Sequence, residues 1–302
     1  MSTQSLHVPV LLHESVDSLN LSSNDIVVDG TFGGGGHSTV IKEQLGPDGK
    51  LICVDLDEKA EERFNQEFLK QFEQIENITF VHANFKDAAH ILAAAQVPSV
   101  NKVLLDLGTS VYQLLTDTRG FSFHSDTPLT MTFSEQGSHT GFTAADIVNS
   151  WQEESIADII YGYGEDRSSR KIARAIIAAR AIKPIITSKQ LAEVIEAAVP
   201  RRGRIHPATK TFQALRIATN DELGTLTTAM EVWWEALKSN ADSPGRLSII
   251  TFHSLEDRLV KQWMKSQTQG RIITKKPIIA SSQELKINPR SRSAKLRTIE
   301  KI

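Results

Sequence analysis

The residues of this chain best suited to do chemistry lie between Asp29 and His37, where five of the seven intervening positions are glycine. Glycine adopts positive φ without strain and has no Cβ, so a loop of this composition lets a ligand approach the backbone closely. About 20 residues later, Asp55 ends an apolar run, and an acid there can accept hydrogen bonds from ribose hydroxyl groups. Together the two features predict a site for a nucleoside-bearing cofactor.

The spacing of the glycines indicates which cofactor this loop would bind. A dinucleotide fingerprint needs the spacing G-x-G-x-x-G, but counting from Gly30 the third residue is Phe32, and counting from Gly33 the sixth is Ser38. The loop instead resembles the first motif of S-adenosylmethionine-dependent methyltransferases, in which an acid precedes a loop of small residues. A glycine-rich hairpin or linker is the alternative, and the apolar run before the loop disfavours it.

Short apolar runs typical of buried strands must position this loop. They lie at Ile26–Asp29, Leu51–Asp55, Ile78–Val81, Val103–Asp106 and Arg246–Phe252, and helical patterns at His37–Leu45 and Glu58–Phe72 separate the first of them. Short apolar strands that alternate with helices predict a parallel sheet in an α/β fold.

The interval before the last strand is too long for one crossover. Arg246 lies 140 positions after Asp106, whereas a simple βαβ unit takes about 30 residues. Most of the interval reads as helical, with a helix start at Thr187, and a helix over Thr209–Leu237, interrupted near Gly224, is expected to lead back to the sheet. We therefore predict a methyltransferase domain in two parts, 1–110 and 205–302, around an inserted helical substrate-recognition domain at 111–204.

The composition is that of an ordinary globular protein, with 40% hydrophobic and 23% charged residues among 302. Cys53 is the only cysteine, which excludes an intramolecular disulfide and a cysteine-based metal cluster and is typical of a reducing compartment. No apolar run approaches the roughly 20 residues that span a membrane, and the first residues lack a signal-peptide pattern. We expect a cytoplasmic protein with no membrane partner, and we predict no metal site.

The charges are unevenly distributed along the chain. Residues 1–164 contain 8 Lys and Arg against 23 Asp and Glu, whereas residues 165–302 contain 26 against 13. The segment from Asn288 to Arg297 reads as a basic C-terminal tail with spaced arginines. A basic half beside a nucleoside-cofactor site favours a polyanionic substrate such as RNA, although a solvated charged face is the alternative.

Several further strings join the glycine loop in unbroken order from His7 to about Glu300. They are Leu104–Gly108, Arg119–Phe123, Tyr163–Arg167, His206–Ile217, Thr251–Arg258 and Asn288–Arg297. Taken together, the strings resemble the bacterial 16S rRNA cytosine-N4 methyltransferases, the MraW family. The resemblance implies a class I, Rossmann-like methyltransferase sheet with an inserted helical domain, and a homodimer stays open.

The resemblance also implies a reaction and a set of site residues. The reaction is S-adenosylmethionine-dependent methylation of N4 of a decoding-centre cytidine of 16S rRNA, with the small ribosomal subunit as partner. The implied cofactor contacts are Gly33, Gly35, Gly36 and His37 from the loop, Asp55 at the ribose, Phe85 near the adenine, and Asp106 and Gln113 to complete the site. Taken alone, His37 could cap the helix that follows it, and Phe85 could be a core residue.

The chemistry asks mainly for alignment and for one hydrogen-bond acceptor. The lone pair of the cytosine amine is delocalised into the ring, so an acceptor at N4–H that favours a pyramidal nitrogen helps the attack. Asp106 is the candidate catalytic residue for that role. The target base must be unstacked and held against an aromatic or apolar surface, for which Tyr112 and Phe123 are candidates.

Two segments depart from the family pattern. The family usually continues Asp-Leu-Gly with Val-Ser-Ser-Pro-Gln, but this chain has Val111 and Tyr112 before Gln113, and Thr130, Thr132 and Ser134 replace two acids and an arginine. A cofactor-binding protein that contacts rRNA but has weakened catalysis therefore stays open as a second hypothesis. A nicotinamide-dependent dehydrogenase is a third, disfavoured by the glycine spacing.

Overall fold

The computed structural model describes residues 9–108, 118–134, 137–138, 140–201, 203, 206–238 and 243–302. Contacts between Cα atoms divide the chain into two compact units, one formed by residues 1–110 with 225–302 and the other by residues 111–224. The positions Val111, Tyr112 and Gln113 lie outside the described residues. No helix in the described part of the chain is long and apolar enough to cross a membrane.

The first unit is built on a sheet of seven strands within the described residues. They are β1 (Ile26–Asp29), β2 (Lys50–Asp55), β3 (Ile78–His82), β4 (Lys102–Asp106), β5 (Arg246–Thr251), β6 (Gly270–Ile272) and β7 (Lys295–Lys301). Their order is β3-β2-β1-β4-β5-β7-β6, with β1 to β5 parallel and β7 antiparallel to both of its neighbours. This topology confirms the predicted Rossmann-like methyltransferase sheet.

In the described part of the chain the α-helices are α1 (Leu12–Leu19), α2 (Gly36–Gln44), α3 (Glu58–Arg63), α4 (Ala88–Ala94), α5 (Ala144–Ser150), α6 (Glu153–Gly164), α7 (Ser169–Ile182), α8 (Ser188–Ala198), α9 (Thr209–Asn220), α10 (Glu222–Ala236), α11 (Ser254–Ser266) and α12 (Ser282–Ile287). A π-helical turn at Phe64–Phe68 and a 3-10 turn at Leu69–Gln71 extend α3, so the helical segment predicted at Glu58–Phe72 is present.

Both faces of the sheet are buried, as the continuous apolar runs predict. Side chains alternate between the faces of a strand, and in β2 Ile52 and Val54 join a cluster with Trp233, while Leu51 and Cys53 join a second cluster on the other face. Cys53 is a buried core side chain, and this burial raises the pKa of its thiol.

The second unit ends later than the predicted boundary at residue 204. Helix α9 belongs to it, because Phe212, Ala214 and Leu215 lie in the same buried cluster as Ile160 of α6 and Ile172 of α7. The sequence assigned α9 to the sheet domain because it leads back towards β5. Its apolar side chains instead pack within the helical unit.

The break between α9 and α10 lies at Asp221, three residues before the predicted interruption at Gly224. Asp221 has φ of 45°, a left-handed conformation that ends α9. Gly224 lies inside α10, and a Cβ there would stand 2.5 Å from both carboxylate oxygens of Asp221. A side chain at this position would therefore displace the Asp221 carboxylate.

The segment from Asn288 to Arg297, predicted as a basic C-terminal tail, is folded onto the sheet. Its first part forms a 3-10 turn at Pro289–Ser293, and its last part is β7, which pairs with β5 over six residues. Arg297 is buried, and Asp257 accepts hydrogen bonds from Arg297 Nε at 2.7 Å and Lys295 Nζ at 2.9 Å. Burial alone would raise the pKa of Asp257, but these two cations hold it below its usual value.

Replacement of Thr187 by alanine is expected to destabilise the second unit by about 1 kcal/mol. Thr187 Oγ1 accepts the Gln190 backbone N–H at 3.3 Å, and Gln190 Oε1 accepts the Thr187 N–H at 3.2 Å, which confirms the predicted helix start. Urea unfolding measures the loss. Ser168→Ala is the matched control, because Ser168 precedes α7 without a capping hydrogen bond from its side chain to a described residue. An equal loss in both variants would rule out the capping explanation.

Candidate functional site

The glycine loop leaves β1 and is held by the two neighbouring strands. The backbone N–H of Gly30 donates to Leu104 O of β4 at 2.9 Å, and that of Phe32 donates to Val54 O of β2 at 2.9 Å. The N–H of Gly33 donates to Asp55 Oδ2 at 2.7 Å. The loop is therefore fixed at the carboxyl edge of the sheet, where open α/β sheets bind their ligands.

Two of the glycines are required by packing within the protein itself. Gly35 has φ of 78°, and a Cβ there would lie 2.8 Å from the Phe32 ring and 2.9 Å from the Phe68 ring. A Cβ at Gly36 would lie 2.1 Å from Pro9 Cγ. The loop thus needs glycine for its backbone conformation and its close contacts, in addition to any approach of a ligand.

Helix α2 begins at Gly36, and its N-cap residue, Gly35, has no side chain that could cap the first turn. The first N–H groups of a helix lack partners within the helix and attract anions. The end of the glycine loop therefore provides an anion-binding position next to Asp55.

Asp55 is held by two backbone donors and one nearby cation. Its Oδ2 accepts from Gly33 and its Oδ1 accepts the Asp57 N–H at 2.9 Å, while Arg63 Nε donates to Gly33 O at 3.0 Å. Burial raises the pKa of Asp55 to about 6. The ionised carboxylate still has lone pairs that can accept from hydroxyl groups of a ligand.

Phe85 lies beside the glycine loop. Its Cβ would be 3.3 Å from a Cβ built at Gly30, and its side chain is half-buried against the cluster that contains Trp233. Trp233 Nε1 donates to Phe85 O at 2.6 Å and fixes the backbone there. Phe85 thus combines packing against the core with a partly open ring, so both roles considered for it from sequence are compatible with its position.

Asp106 ends β4 and is attached directly to the glycine loop. Its backbone N–H donates to Thr31 Oγ1 at 2.7 Å, an interaction that the sequence pattern did not reveal. Its Oδ1 is buried and makes no hydrogen bond with a described residue. Burial, the nearby Asp29 carboxylate and the Glu256 carboxylate raise the pKa of Asp106 well above its usual value. An unpaired, buried acceptor is costly for the fold, which is typical of a functional group.

His37 lies in the first turn of α2 and contacts Asp106. Its Nε2 donates to Val10 O at 3.1 Å, so the unprotonated Nδ1 faces Asp106 Oδ2 at 3.9 Å. Burial lowers the pKa of His37 to about 4, so the ring is neutral near pH 7. His37 and Asp106 therefore do not form an ion pair. Instead His37 Nδ1 and Asp106 Oδ2 are two acceptor atoms 3.9 Å apart.

The second unit contains the other residues considered for the target base. The Phe123 ring is stacked on the His206 ring, with centroids 4.3 Å apart, and lies perpendicular to the Phe212 ring. Thr130 Oγ1 donates to Arg119 O at 3.2 Å. Phe123 is thus already part of an aromatic group, while the roles of Tyr112 and Gln113 stay predictions.

The residues of the first unit fit S-adenosylmethionine, the cofactor that the loop predicts. The open start of α2 at Gly36 suits the carboxylate of its methionine part, Asp55 suits the ribose hydroxyls, and the Phe85 ring suits a purine. The unpaired Oδ1 of Asp106 suits the neighbourhood of a cationic sulfonium, because a positive charge nearby favours the ionised carboxylate.

Comparison with known proteins adds independent information. A family model described as the MraW methylase family matches residues 4–302. A relative from Desulfotalea psychrophila, named ribosomal RNA small subunit methyltransferase H, is 43% identical over the full length of both chains. Relatives of the same name from Deinococcus deserti and Clostridium botulinum are each 43% identical over 98% of this chain and cover 94% and 99% of their own.

Proposed function

This chain belongs to the MraW methylase family and uses S-adenosylmethionine, and from that premise we propose that it methylates N4 of a decoding-centre cytidine of 16S rRNA in the small ribosomal subunit. The observation that carries the proposal is the carboxyl edge of the sheet. There Asp106, at the end of β4, is hydrogen-bonded to Thr31 of the glycine loop and has an Oδ1 without a described partner, and Asp55, at the end of β2, accepts from Gly33 of the same loop. The relatives' name supports the rRNA substrate.

Alignment supplies much of the catalysis in this proposal. S-adenosylmethionine supplies an electrophilic methyl group on its sulfonium. Asp55 and the start of α2 orient the cofactor, and the tie from the Asp106 N–H to Thr31 Oγ1 fixes the end of β4 relative to the loop. Holding two reactants in the correct orientation lowers the activation barrier by several kcal/mol, because their translational and rotational entropy has already been lost on binding.

Asp106 handles the proton in this proposal. The Asp106 carboxylate, whose side chain is 22% exposed, accepts a hydrogen bond from N4–H of the cytosine, which favours a lone pair directed at the methyl group. After transfer the nitrogen carries a positive charge and loses one proton, and this carboxylate is the acceptor for it. Burial, Asp29 and Glu256 raise the pKa of Asp106, so its ionised form is a stronger base than an exposed aspartate.

The substrate and partner follow from chemistry and from the relatives. The basic half of the chain suits a polyanion, and an exocyclic amine offers two N–H donors to the acceptors on Asp106 and His37. Bacterial ribosomal subunits are assembled in the cytoplasm, so the proposal locates the reaction there. A homodimer stays a prediction, and gel filtration with light scattering measures it.

Mass spectrometry of decoding-centre rRNA tests the proposal. Cells with and without the gene are compared, and nucleosides from the digested rRNA fragment distinguish N4-methylcytidine from its C5 and 2′-O isomers. We expect N4-methylcytidine only when the protein is present. An unchanged fragment in both strains would refute the proposed substrate.

Weakened catalysis is the second candidate function, and the replacement of charged residues by Thr130, Thr132 and Ser134 favours it. Thr132 is buried, and Thr130 Oγ1 donates to a backbone carbonyl, so the described surroundings of Thr130 suit a hydroxyl. Calorimetric binding of S-adenosylmethionine without methyl transfer to any preparation of small subunits would support this candidate over the enzyme.

The affinity for S-adenosylmethionine is expected to fall about tenfold between pH 7.5 and pH 5. Protonation of Asp55 removes its charge and turns one oxygen into an O–H donor, which weakens its acceptance of hydrogen bonds from hydroxyl groups. Its pKa is raised to about 6, so the ionised fraction falls about tenfold one pH unit below that value. His37, with a pKa of about 4, stays neutral over this range. Calorimetry at each pH measures the change.

The Asp55→Asn variant is the control for the pH dependence, since Asp29 also has a pKa of about 6. This variant should bind the cofactor more weakly than the wild type at pH 7.5 and with little change down to pH 5. A pH dependence that persists in Asp55→Asn would assign the titration to another group.

A further inference from the structure

A second concave surface lies at the end of β5. A cleft of about 300 Å³ opens between Phe252, which follows β5, and the chain segment from Ile279 to Lys295. Its lining includes the apolar side chains of Phe252, Ile279 and Leu285 and the cations Arg292 and Lys295. We call it the basic cleft. None of these residues belongs to the cofactor site described above.

The charges around the basic cleft suit an anion. Residues 270–302 contain nine Lys and Arg against two acids. Glu300 is buried and paired with Arg246 and Arg271, and Glu284 Oε1 accepts the Leu11 N–H at 2.8 Å. The acidic groups are thus engaged within the protein, and the exposed charge of this segment is positive.

Arg292 is the cation best placed to meet a ligand. It is exposed, and among the described residues it makes no hydrogen bond or ion pair. Lys295 also lines the cleft but donates to Asp257 at 2.9 Å, so its charge is partly neutralised by this carboxylate. A free guanidinium binds a phosphate through two parallel N–H donors.

The apolar lining indicates what accompanies the phosphate. Ile279 and Leu285 expose 63% and 38% of their surface beside Arg292. A nucleobase can lie against apolar side chains while its phosphate meets a neighbouring cation, which is an arrangement suited to an unpaired nucleotide. A volume of about 300 Å³ is at the small end for ligand sites and suits one nucleotide rather than a duplex.

The cleft lies on the same edge of the sheet as Asp106. In the parallel pair of β4 and β5, Asp106 is opposite Ile250, two residues before Phe252, and a Cβ built at Gly108 would lie 3.8 Å from the Phe252 ring. Adjacent strands are about 4.8 Å apart. An RNA strand that presents a base to Asp106 therefore brings a neighbouring nucleotide to the cleft.

We infer that the basic cleft binds an unpaired nucleotide of the substrate RNA next to the target base, with its phosphate on Arg292 and its base on Ile279 and Leu285. This inference rests on the proposed function for the identity of the RNA. The cleft determines how tightly the RNA strand is held and leaves the methyl-transfer step to Asp106.

Arg292→Glu and Ile279→Ser test the two halves of the contact. Binding of a fluorescent single-stranded decoding-centre RNA oligonucleotide is measured by anisotropy over a range of salt, and methyl transfer is measured against small-subunit concentration. We expect Arg292→Glu to weaken binding about tenfold, to flatten the salt dependence by about one phosphate contact, and to raise KM with kcat within about twofold. Ile279→Ser should weaken binding without changing the salt slope.

Lys50→Glu is the matched control, because Lys50 is exposed at the start of β2, on the opposite edge of the same sheet. It makes the same change in net charge and should leave affinity, salt slope and KM unchanged. Unaltered oligonucleotide binding in both cleft variants, with wild-type melting temperatures, would overturn the inference. If the wild type transfers no methyl group to rRNA, the proposed function fails, while the oligonucleotide titrations still decide whether the cleft binds RNA.

Discussion

An Asp106→Ala variant is expected to transfer methyl groups to small subunits about 100 to 1,000 times more slowly than the wild type, the usual effect of removing one preorganised group that stabilises charge. Single-turnover transfer from labelled S-adenosylmethionine measures the rate. Asp106→Asn keeps a carbonyl acceptor but has no charge and takes no proton. Its rate therefore separates hydrogen bonding from proton acceptance.

Stability distinguishes this role from a structural one. Because Asp106 Oδ1 is buried without a described partner and lies near Asp29 and Glu256, its removal should leave the melting temperature unchanged or raise it. Asp87→Ala, at an exposed acid before α4 in the same unit, should change neither rate nor stability. Normal methylation by Asp106→Ala would remove Asp106 from the mechanism.

A Gly35→Ala variant is expected to lose about 2–4 kcal/mol of unfolding free energy in the first unit and most of its affinity for S-adenosylmethionine. Positive φ is strained for alanine, and the added Cβ would press against the Phe32 and Phe68 rings at 2.8 and 2.9 Å. Both rings belong to the core under the loop, so relaxation would displace the start of α2. Urea unfolding and calorimetry measure the two losses.

Gly162→Ala is the matched control for this prediction. Gly162 lies in α6, and a Cβ there would meet none of the described atoms within 4 Å. The same chemical change should therefore stabilise the second unit by about 0.5–1 kcal/mol, because alanine is the better helix former. Equal effects at both positions would contradict the packing explanation for Gly35.

The sequence was most informative where local pattern and burial agree. The strand at Ile26–Asp29 was predicted with its exact limits, because both faces of a parallel sheet bury apolar side chains. The helix start at Thr187 was also predicted correctly, because a capping box is a local interaction. The position of the carboxyl edge of the sheet follows from the predicted strands.

The sequence was least informative where distant residues decide the outcome. The basic residues near the carboxyl end did not suggest the strand β7. Arg297 is buried there with its charge paired to Asp257, which lies on another element. The tie between Thr31 and Asp106 joins residues 75 positions apart, and no local pattern indicates it. The basic cleft likewise depends on Ile279 and Arg292 meeting the end of β5.

The division of the first unit along the chain has a consequence for how the protein is made. Synthesis proceeds from the amino terminus, and residues 107–245 separate β4 from its partner β5. Until β5 emerges from the ribosome, β4 has an unpaired apolar edge, which is prone to wrong pairing. The second unit is one continuous segment and can fold during this interval. We therefore expect nascent chains stalled after residue 224 has emerged from the ribosome, but before β5 has emerged, to show a protease-resistant helical unit while the sheet stays open to chaperones.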